Sequence, residues 1–461
     1  MMNNLISSDN YCVIVGAGLT GQSVAHYFSR IGQRFCVFDT RDNEELRTPF
    51  LKIDSDVRVY LEDIDANILL GASEVVISPG VSRDLPIFSE AIKQGVSFVG
   101  DVELFLRHVR RENREAKVVG ITGSNGKTTV TTLVDLVLKN YGVKVAVGGN
   151  IGVPALDLLH SFADIYVLEL SSFQLESIKR AELDVAVVLN VTPDHMDRYA
   201  SLAHYVMAKQ RIYWGAKSIV YNLNDTLTVP PAVPGVQRFG FSTSIKHEKN
   251  EIQYVYNVDS QEMCREGVKI FEKQDMRLQG LHNVQNAMAL FAMCNALEVP
   301  HVFVEQVLKN FAGLAHRCEW VACYDGMTFI NDSKATNVGA SISALRGLAP
   351  DFDRVILIAG GDGKSADFLE LANVISEKVH GLVLFGHDAL RIDASVNQRV
   401  ETYCVLTLAD AVKQSLTLAK EKGGTNTLIL LSPACASLDM FKNYEERGVQ
   451  FKALVQKGRY G

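Results

Sequence analysis

Thr122-Gly123-Ser124-Asn125-Gly126-Lys127-Thr128-Thr129 lies between an apolar run at 118–121 and a helix-patterned stretch at 130–138. In such a loop successive backbone N–H groups wrap a polyphosphate, a lysine reaches its outer oxygens, and a Thr hydroxyl ligates Mg2+. The spacing departs from the strict phosphate-loop pattern, because five residues rather than four separate Gly120 from Gly126. Gly-Lys-Thr at a strand–helix junction still points to ATP or GTP, with Lys127 on the phosphates and Thr128 on the metal.

Other residues fall at comparable junctions. Glu169 closes the run Ile165-Tyr-Val-Leu168, at the strand end where α/β proteins bind ligands, and is a candidate Mg2+ ligand. Pro193-Asp194-His195-Met196-Asp197 follows the run at 185–190, and the pattern leaves open whether His195 serves a ligand or the loop. Gly16-Ala17-Gly18-Leu19-Thr20-Gly21 follows a strand and opens a helix, with Asp39 ending the next strand. Its glycines let backbone approach a phosphate, and the acid is placed for a hydroxyl or base edge. Near the C-terminus, Asp332-Ser-Lys-Ala-Thr336, Gly360-Gly-Asp-Gly-Lys364 and Ser432-Pro-Ala-Cys-Ala-Ser437 each leave a strand. Singly these are turns and helix caps; together they suggest a second pocket facing the nucleotide.

The elements that must carry these loops are β-branched runs alternating with helical patterns, which reads as α/β with mainly parallel sheets. Three blocks are expected at 1–109, 110–312 and 313–461, with the charged stretch 110–117 as the first linker and 223–280 as β-rich excursions. At 461 residues and 47 % hydrophobic, 21 % charged, the chain has the composition of an ordinary folded protein. Forty-six Lys and Arg against 53 Asp and Glu leave a charge of −7, so no basic excess points to nucleic acid or an anionic membrane. The eight cysteines form no C-x-x-C pair and read as reduced, buried residues. The N-terminus lacks a basic and apolar leader, and no apolar run is long enough for a bilayer, so a cytoplasmic protein is expected.

With these motifs in hand, the chain resembles the Mur ligases of peptidoglycan synthesis. The matching residues are the phosphate loop, Gly149-Asn150-Ile-Gly152, Leu168-Glu-Leu-Ser-Ser-Phe-Gln174, Asn190-Val-Thr-Pro-Asp-His195, Gly280-Leu-His-Asn283-Val-Gln-Asn286 and His316-Arg317. The segments at 331–337 and 432–444 look like the branch that adds D-glutamate, and the Asp-Asn-Pro-Arg signature of the diaminopimelate- or lysine-adding branch is missing. The resemblance implies a Rossmann-like N-terminal domain, a central ATPase-like domain and a C-terminal Rossmann-like domain. It also implies an ATP-dependent ligase acting as a monomer on UDP-MurNAc-L-Ala and D-glutamate, with two Mg2+ ions.

The implied roles follow residue by residue. ATP would lie between Gly123, Ser124, Asn125, Gly126, Lys127, Thr128, Thr129, Asn283, Asn286, Arg317 and Asp332. The UDP substrate, rather than NAD, would meet Gly18, Leu19, Thr20, Asp39, Thr40 and Gly80, with Asn150 and His195 near its muramoyl-alanine part. Thr336, Lys364, Ser437, Leu438 and Tyr444 would surround D-glutamate, Tyr444 standing where the family is expected to carry Phe. Lys127, Glu169, His195 and Lys209 would be catalytic, and Thr128, Glu169, His195 and a carbamylated Lys209 would hold metal. Lys209 on its own reads as a half-buried helix lysine sharing a face with Tyr205, Ile212 and Tyr213. ATP contacts split between blocks imply closure about a hinge near residues 312–314. A folylpolyglutamate synthase-like ligase, an NAD oxidoreductase and a regulatory ATPase are the rival readings.

Overall fold

The computed structural model describes residues 10–196, 198–244, 251–278, 280–421 and 426–458, so residues 1–9 and Asp197 lie outside the described residues. Three sheets form in chain order. The first is wholly parallel, its five strands lying side by side as Val59–Leu61, Arg34–Asp39, Tyr11–Val15, Glu74–Ile77 and Phe98–Val99. In the second, Lys117–Thr122 lies inside, flanked by Ile165–Glu169 and Val185–Val188. This sheet is extended at one end by Glu262–Arg265 and Val268–Glu272, which run antiparallel. The third sheet is parallel except for its edge strand Glu319–Tyr324.

The central strands read as continuous apolar runs because helices cover both of their faces. Val118, Val119, Ile121, Val185 and Val187 are all completely buried. The very short strands Val59–Leu61, Phe98–Val99 and Thr402–Cys404, and the edge strand Glu319–Tyr324, carry too little pattern to be anticipated.

The expected linker at 110–117 is corrected. Arg110, Arg111 and Glu112 complete the helix Asp101–Glu112, which runs through the boundary expected after residue 109. Its buried face, including Val102, Phe105 and Val109, outweighs the charges at its end. Phe105 packs edge-on against Tyr166 at 5.2 Å, Arg110 donates to the carbonyl of Glu182, and Ser23 donates to Asp157 at 2.7 Å. The first sheet is thus fastened to the second by a shared core. Among the described residues no helix is long and apolar enough to cross a membrane.

Candidate functional site

Strand register brings the chemistry to one edge. Ile121 and Gly149 lie level with Glu169, and Thr122 lies level with Val188, so the phosphate loop, Asn150, Glu169 and Asn190 open at the same end of the sheet. Gly126 has φ +84°, and a Cβ there would come 2.6 Å from Asn286 Oδ1, so the loop takes a shape only glycine fits beside the helix Leu281–Ala296. The following helix, Lys127–Tyr141, has no side-chain cap, leaving its first N–H groups for an anion. Asn190 braces the loop, its Oδ1 accepting from the Asn125 amide at 2.8 Å and its carbonyl from the Ser124 amide at 2.9 Å.

The charges around this loop are unusual. Lys127 Nζ donates to the carbonyls of Gly123 (2.8 Å) and Ser124 (3.1 Å). Lys209 Nζ donates to the same Gly123 carbonyl at 3.0 Å and lies 4.6 Å over the Tyr205 ring. Lys209 is 1 % exposed, which corrects the half-buried expectation: its helix ends at Gln210, a 3-10 turn carries Arg211–Tyr213, and the phosphate loop covers the amine. Burial and the neighbouring Lys127 push the Lys209 pKa well below its ordinary value, against the pull of Asp194 and Glu169.

Glu169 is 1 % exposed. Its Oε1 accepts from Asn150 Nδ2 at 3.1 Å, whereas its Oε2 is buried without a hydrogen-bond partner. Arg317 Nη2 donates to Thr128 Oγ1 at 2.6 Å. Asp332 accepts from Ser432 Oγ at 2.8 Å and the Cys318 amide at 3.1 Å, and burial pushes its pKa up to about 6. Among the described residues no three His, Cys, Asp or Glu side chains form a ready-made metal cluster. An orphaned carboxylate oxygen and a hydroxyl beside a phosphate site suit Mg2+, a hard cation held by few protein oxygens plus substrate phosphates. His195 has its Nε2 3.6 Å from Asp194 Oδ2 and its ring 4.9 Å from Phe173.

Two clefts adjoin this edge. The first is lined by Asn125, Gly126 and Thr129 with Asn283, Asn286, Arg317, Asp332 and Lys334, so most of the expected ATP residues converge. The second, of about 640 Å³, brings His195 together with Thr336 and Lys364. Asn337 Nδ2 links the third block to the second by donating to Asp194 Oδ2 at 3.1 Å. Ser437, which is buried, the exposed Leu438 and Tyr444 do not line either cleft. The Tyr444 hydroxyl accepts instead from Lys334 Nζ at 3.0 Å.

At the first sheet, Gly18, Leu19 and Thr20 open an uncapped helix, and Thr40 and Gly80 are exposed at the same edge. A Cβ on Gly21 would meet the Gly16 carbonyl at 1.9 Å, which fixes the close helix approach. Asp39, expected at the UDP substrate, has a carboxylate that accepts from the Ala17 amide (2.7 Å) and from Arg41 Nε (2.8 Å) and Nη2 (2.9 Å). It stiffens the loop, leaving Thr40 exposed. Sequence reasoning missed Arg198, which donates to the carbonyls of Pro79 and Val81, both at 3.1 Å, and so ties the His195 loop to Gly80. It also missed backbone strain: His195, His316, Cys318, Lys364, Ser365 and Ala434 all have positive φ.

Comparison with known proteins matches three family profiles in order. They are Mur ligase MurD-like, N-terminal domain, over residues 10–100; Mur ligase middle domain, over 121–294; and Mur ligase, glutamate ligase domain, over 316–435. A protein of Saccharophagus degradans named UDP-N-acetylmuramoylalanine--D-glutamate ligase is 51 % identical, covering 98 % of this chain and 99 % of its own length. The protein of the same name from Pseudomonas aeruginosa is 42 % identical, with 98 % and 99 % covered. Among solved structures, a pseudomurein peptide ligase type C from Methanothermus fervidus shares the fold at TM-score 0.58 and 18 % identity, covering 97 % of this chain and 100 % of that one. Folylpolyglutamate synthase from Mycobacterium tuberculosis shares the fold at TM-score 0.55 and 14 % identity, covering 76 % of this chain and 94 % of that one.

Proposed function

The chain belongs to the Mur ligase family, and from that premise we propose that it joins D-glutamate to UDP-N-acetylmuramoyl-L-alanine at the expense of ATP. The observation that carries this reading is the shared sheet edge, where the phosphate loop stands beside the orphaned Glu169 oxygen and buried Lys209 and sets Asn125 on the wall of the cleft holding Thr336 and Lys364. The rival built on folylpolyglutamate synthase is disfavoured because residues 10–100 match an N-terminal domain of the MurD-like kind. We place the enzyme in the cytoplasm as a monomer, where ATP and a nucleotide-linked substrate are available.

The chemistry follows from charge. An alanine carboxylate oxygen attacks the γ-phosphorus, the bond to ADP breaks, and an acyl phosphate forms. The glutamate amine then attacks the acyl carbon, loses a proton, and expels phosphate. Both steps gather negative charge, which the loop N–H groups, Lys127 and Arg317 would stabilise. Thr128 and Glu169 would hold one Mg2+ and a carbamylated Lys209 with His195 a second, and the metal would neutralise phosphate charge during transfer. Asn283, Asn286 and Asp332 would hold the remainder of ATP. Gly18, Leu19, Thr20, Thr40, Gly80 and Asn150 would hold the UDP substrate, with Asp39 holding the loop in shape. Thr336 and Lys364, on the wall of the second cleft, would receive D-glutamate, Lys364 pairing with a carboxylate.

A phosphate-release screen of UDP-MurNAc-L-Ala against D-Glu, L-Glu, D-Ala and diaminopimelate tests this. Turnover is expected only with D-Glu. Turnover with L-Glu, or steady hydrolysis without an amino acid, would overturn the reading. Since cleft residues come from both the second and third sheets, small-angle scattering should report compaction when both substrates bind, about the hinge near Gly313. An unchanged profile would count against closure.

A further inference from the structure

Lys334 is a half-buried ammonium on the wall of the first cleft, beside Arg317 and Asp332. Among the described residues no carboxylate lies within ion-pairing distance of it. Its Nζ donates to the Tyr444 hydroxyl at 3.0 Å and lies 4.6 Å from the centre of the Tyr444 ring. Both ends of this contact are fastened. Ser333 Oγ donates to the Tyr444 carbonyl at 2.8 Å, and the Lys334 amide donates to the His316 carbonyl at 3.0 Å. Arg447, 0 % exposed, donates to Ser333 Oγ at 3.0 Å, to the Ser333 carbonyl at 2.8 Å and to the Cys435 carbonyl at 3.1 Å. A cation held this firmly without an anionic partner, on the wall of a phosphate cleft, is arranged to meet an anion.

We propose that Lys334 is a further catalytic residue, supplying positive charge to the phosphoryl group in transfer, and that the Tyr444 hydroxyl positions it. A phenylalanine at position 444 would keep the ring but lose this function. The inference rests on the ligase reading above. Lys334 belongs to the first cleft rather than to the one lined by Thr336 and Lys364, which is why phosphoryl oxygens, not the amino-acid carboxylates, are its assigned partner.

The surroundings give a second readout. Burial, Arg317 and Lys127 lower the Lys334 pKa to about 8, opposed by Glu169 and Glu445, with the un-ionised Tyr444 phenol as hydrogen-bond acceptor and His316 against its ring. Removing the phenol oxygen takes away a bond that favours the ammonium, so the alkaline limb of activity should move to lower pH.

The test is steady-state kinetics of the full chain, with wild type as reference. Lys334→Met is expected to lower kcat about 100-fold, the scale for losing one charge-stabilising donor, while the KM for D-glutamate stays within about 3-fold. Tyr444→Phe is expected to lower kcat several-fold and to shift the alkaline limb downward, with Lys334→Arg recovering part of the Lys334→Met loss. A raised KM for D-glutamate at unchanged kcat would make Lys334 a carboxylate ligand and overturn the proposal. So would an unshifted pH profile in Tyr444→Phe. Failure of the ligase reading is distinguishable, because wild type itself would then show no D-glutamate-dependent turnover.

Discussion

Lys209→Ala is expected to lower ligation by about 1,000-fold or more, with small carboxylates such as formate or acetate restoring part of it. Lys209 and Lys127 donate to one carbonyl, that of Gly123, at 3.0 and 2.8 Å. Burial penalises the Lys209 ammonium and Lys127 beside it adds repulsion, so its pKa falls well below the ordinary lysine value and the neutral amine is favoured. A neutral amine is the form that adds CO2: the nitrogen bonds to carbon, a proton leaves, and a carbamate anion replaces a cation. That change of sign turns a site that repels a divalent ion into one that holds it. Lys209→Arg should therefore fail as badly as alanine, since guanidinium keeps its charge and forms no carbamate. Near-normal turnover by Lys209→Arg would reduce Lys209 to a cationic clamp. Circular dichroism of both variants separates this loss from misfolding.

What the sequence revealed and what it hid divide by distance along the chain. The phosphate loop was legible because its strand, glycines, lysine and helix are contiguous, and local residue types decide all of them. The burial of Lys209 was not, because the covering carbonyl belongs to Gly123, 86 positions earlier. The same holds for Lys334, whose partner Tyr444 lies 110 positions away. The pattern that marked Asp39 says nothing of Arg41 folding back onto it. The charged stretch 110–117 looked like a linker because its buried helical partners, Val102, Phe105 and Val109, precede it. The residues proposed to surround D-glutamate rest on resemblance alone. Three separate strand ends carry Thr336, Lys364 and Ser437, and no spacing rule links them.

Glu169→Gln is expected to raise the Mg2+ concentration for half-maximal activity about 10- to 100-fold and to lower kcat by a comparable factor, while the fold is untouched. Gln has nearly the same shape, so the atom replacing Oε1 can still accept from Asn150 Nδ2. The second position is the decisive one. Oε2 is buried and unpartnered, a costly arrangement for a carboxylate unless a cation completes it. Amide nitrogen there presents N–H donors to a metal and removes the negative charge that faces Lys127 and Arg317. Melting of the metal-free protein separates the two roles this residue can have. A group that serves the fold lowers the melting temperature when removed. An oxygen kept unpaired for a metal leaves it nearly unchanged, because no hydrogen bond of the metal-free fold is lost with it. We expect the second result. Wild-type turnover at limiting Mg2+ would take Glu169 out of the metal site, and the orphaned oxygen would then need another cation to answer it.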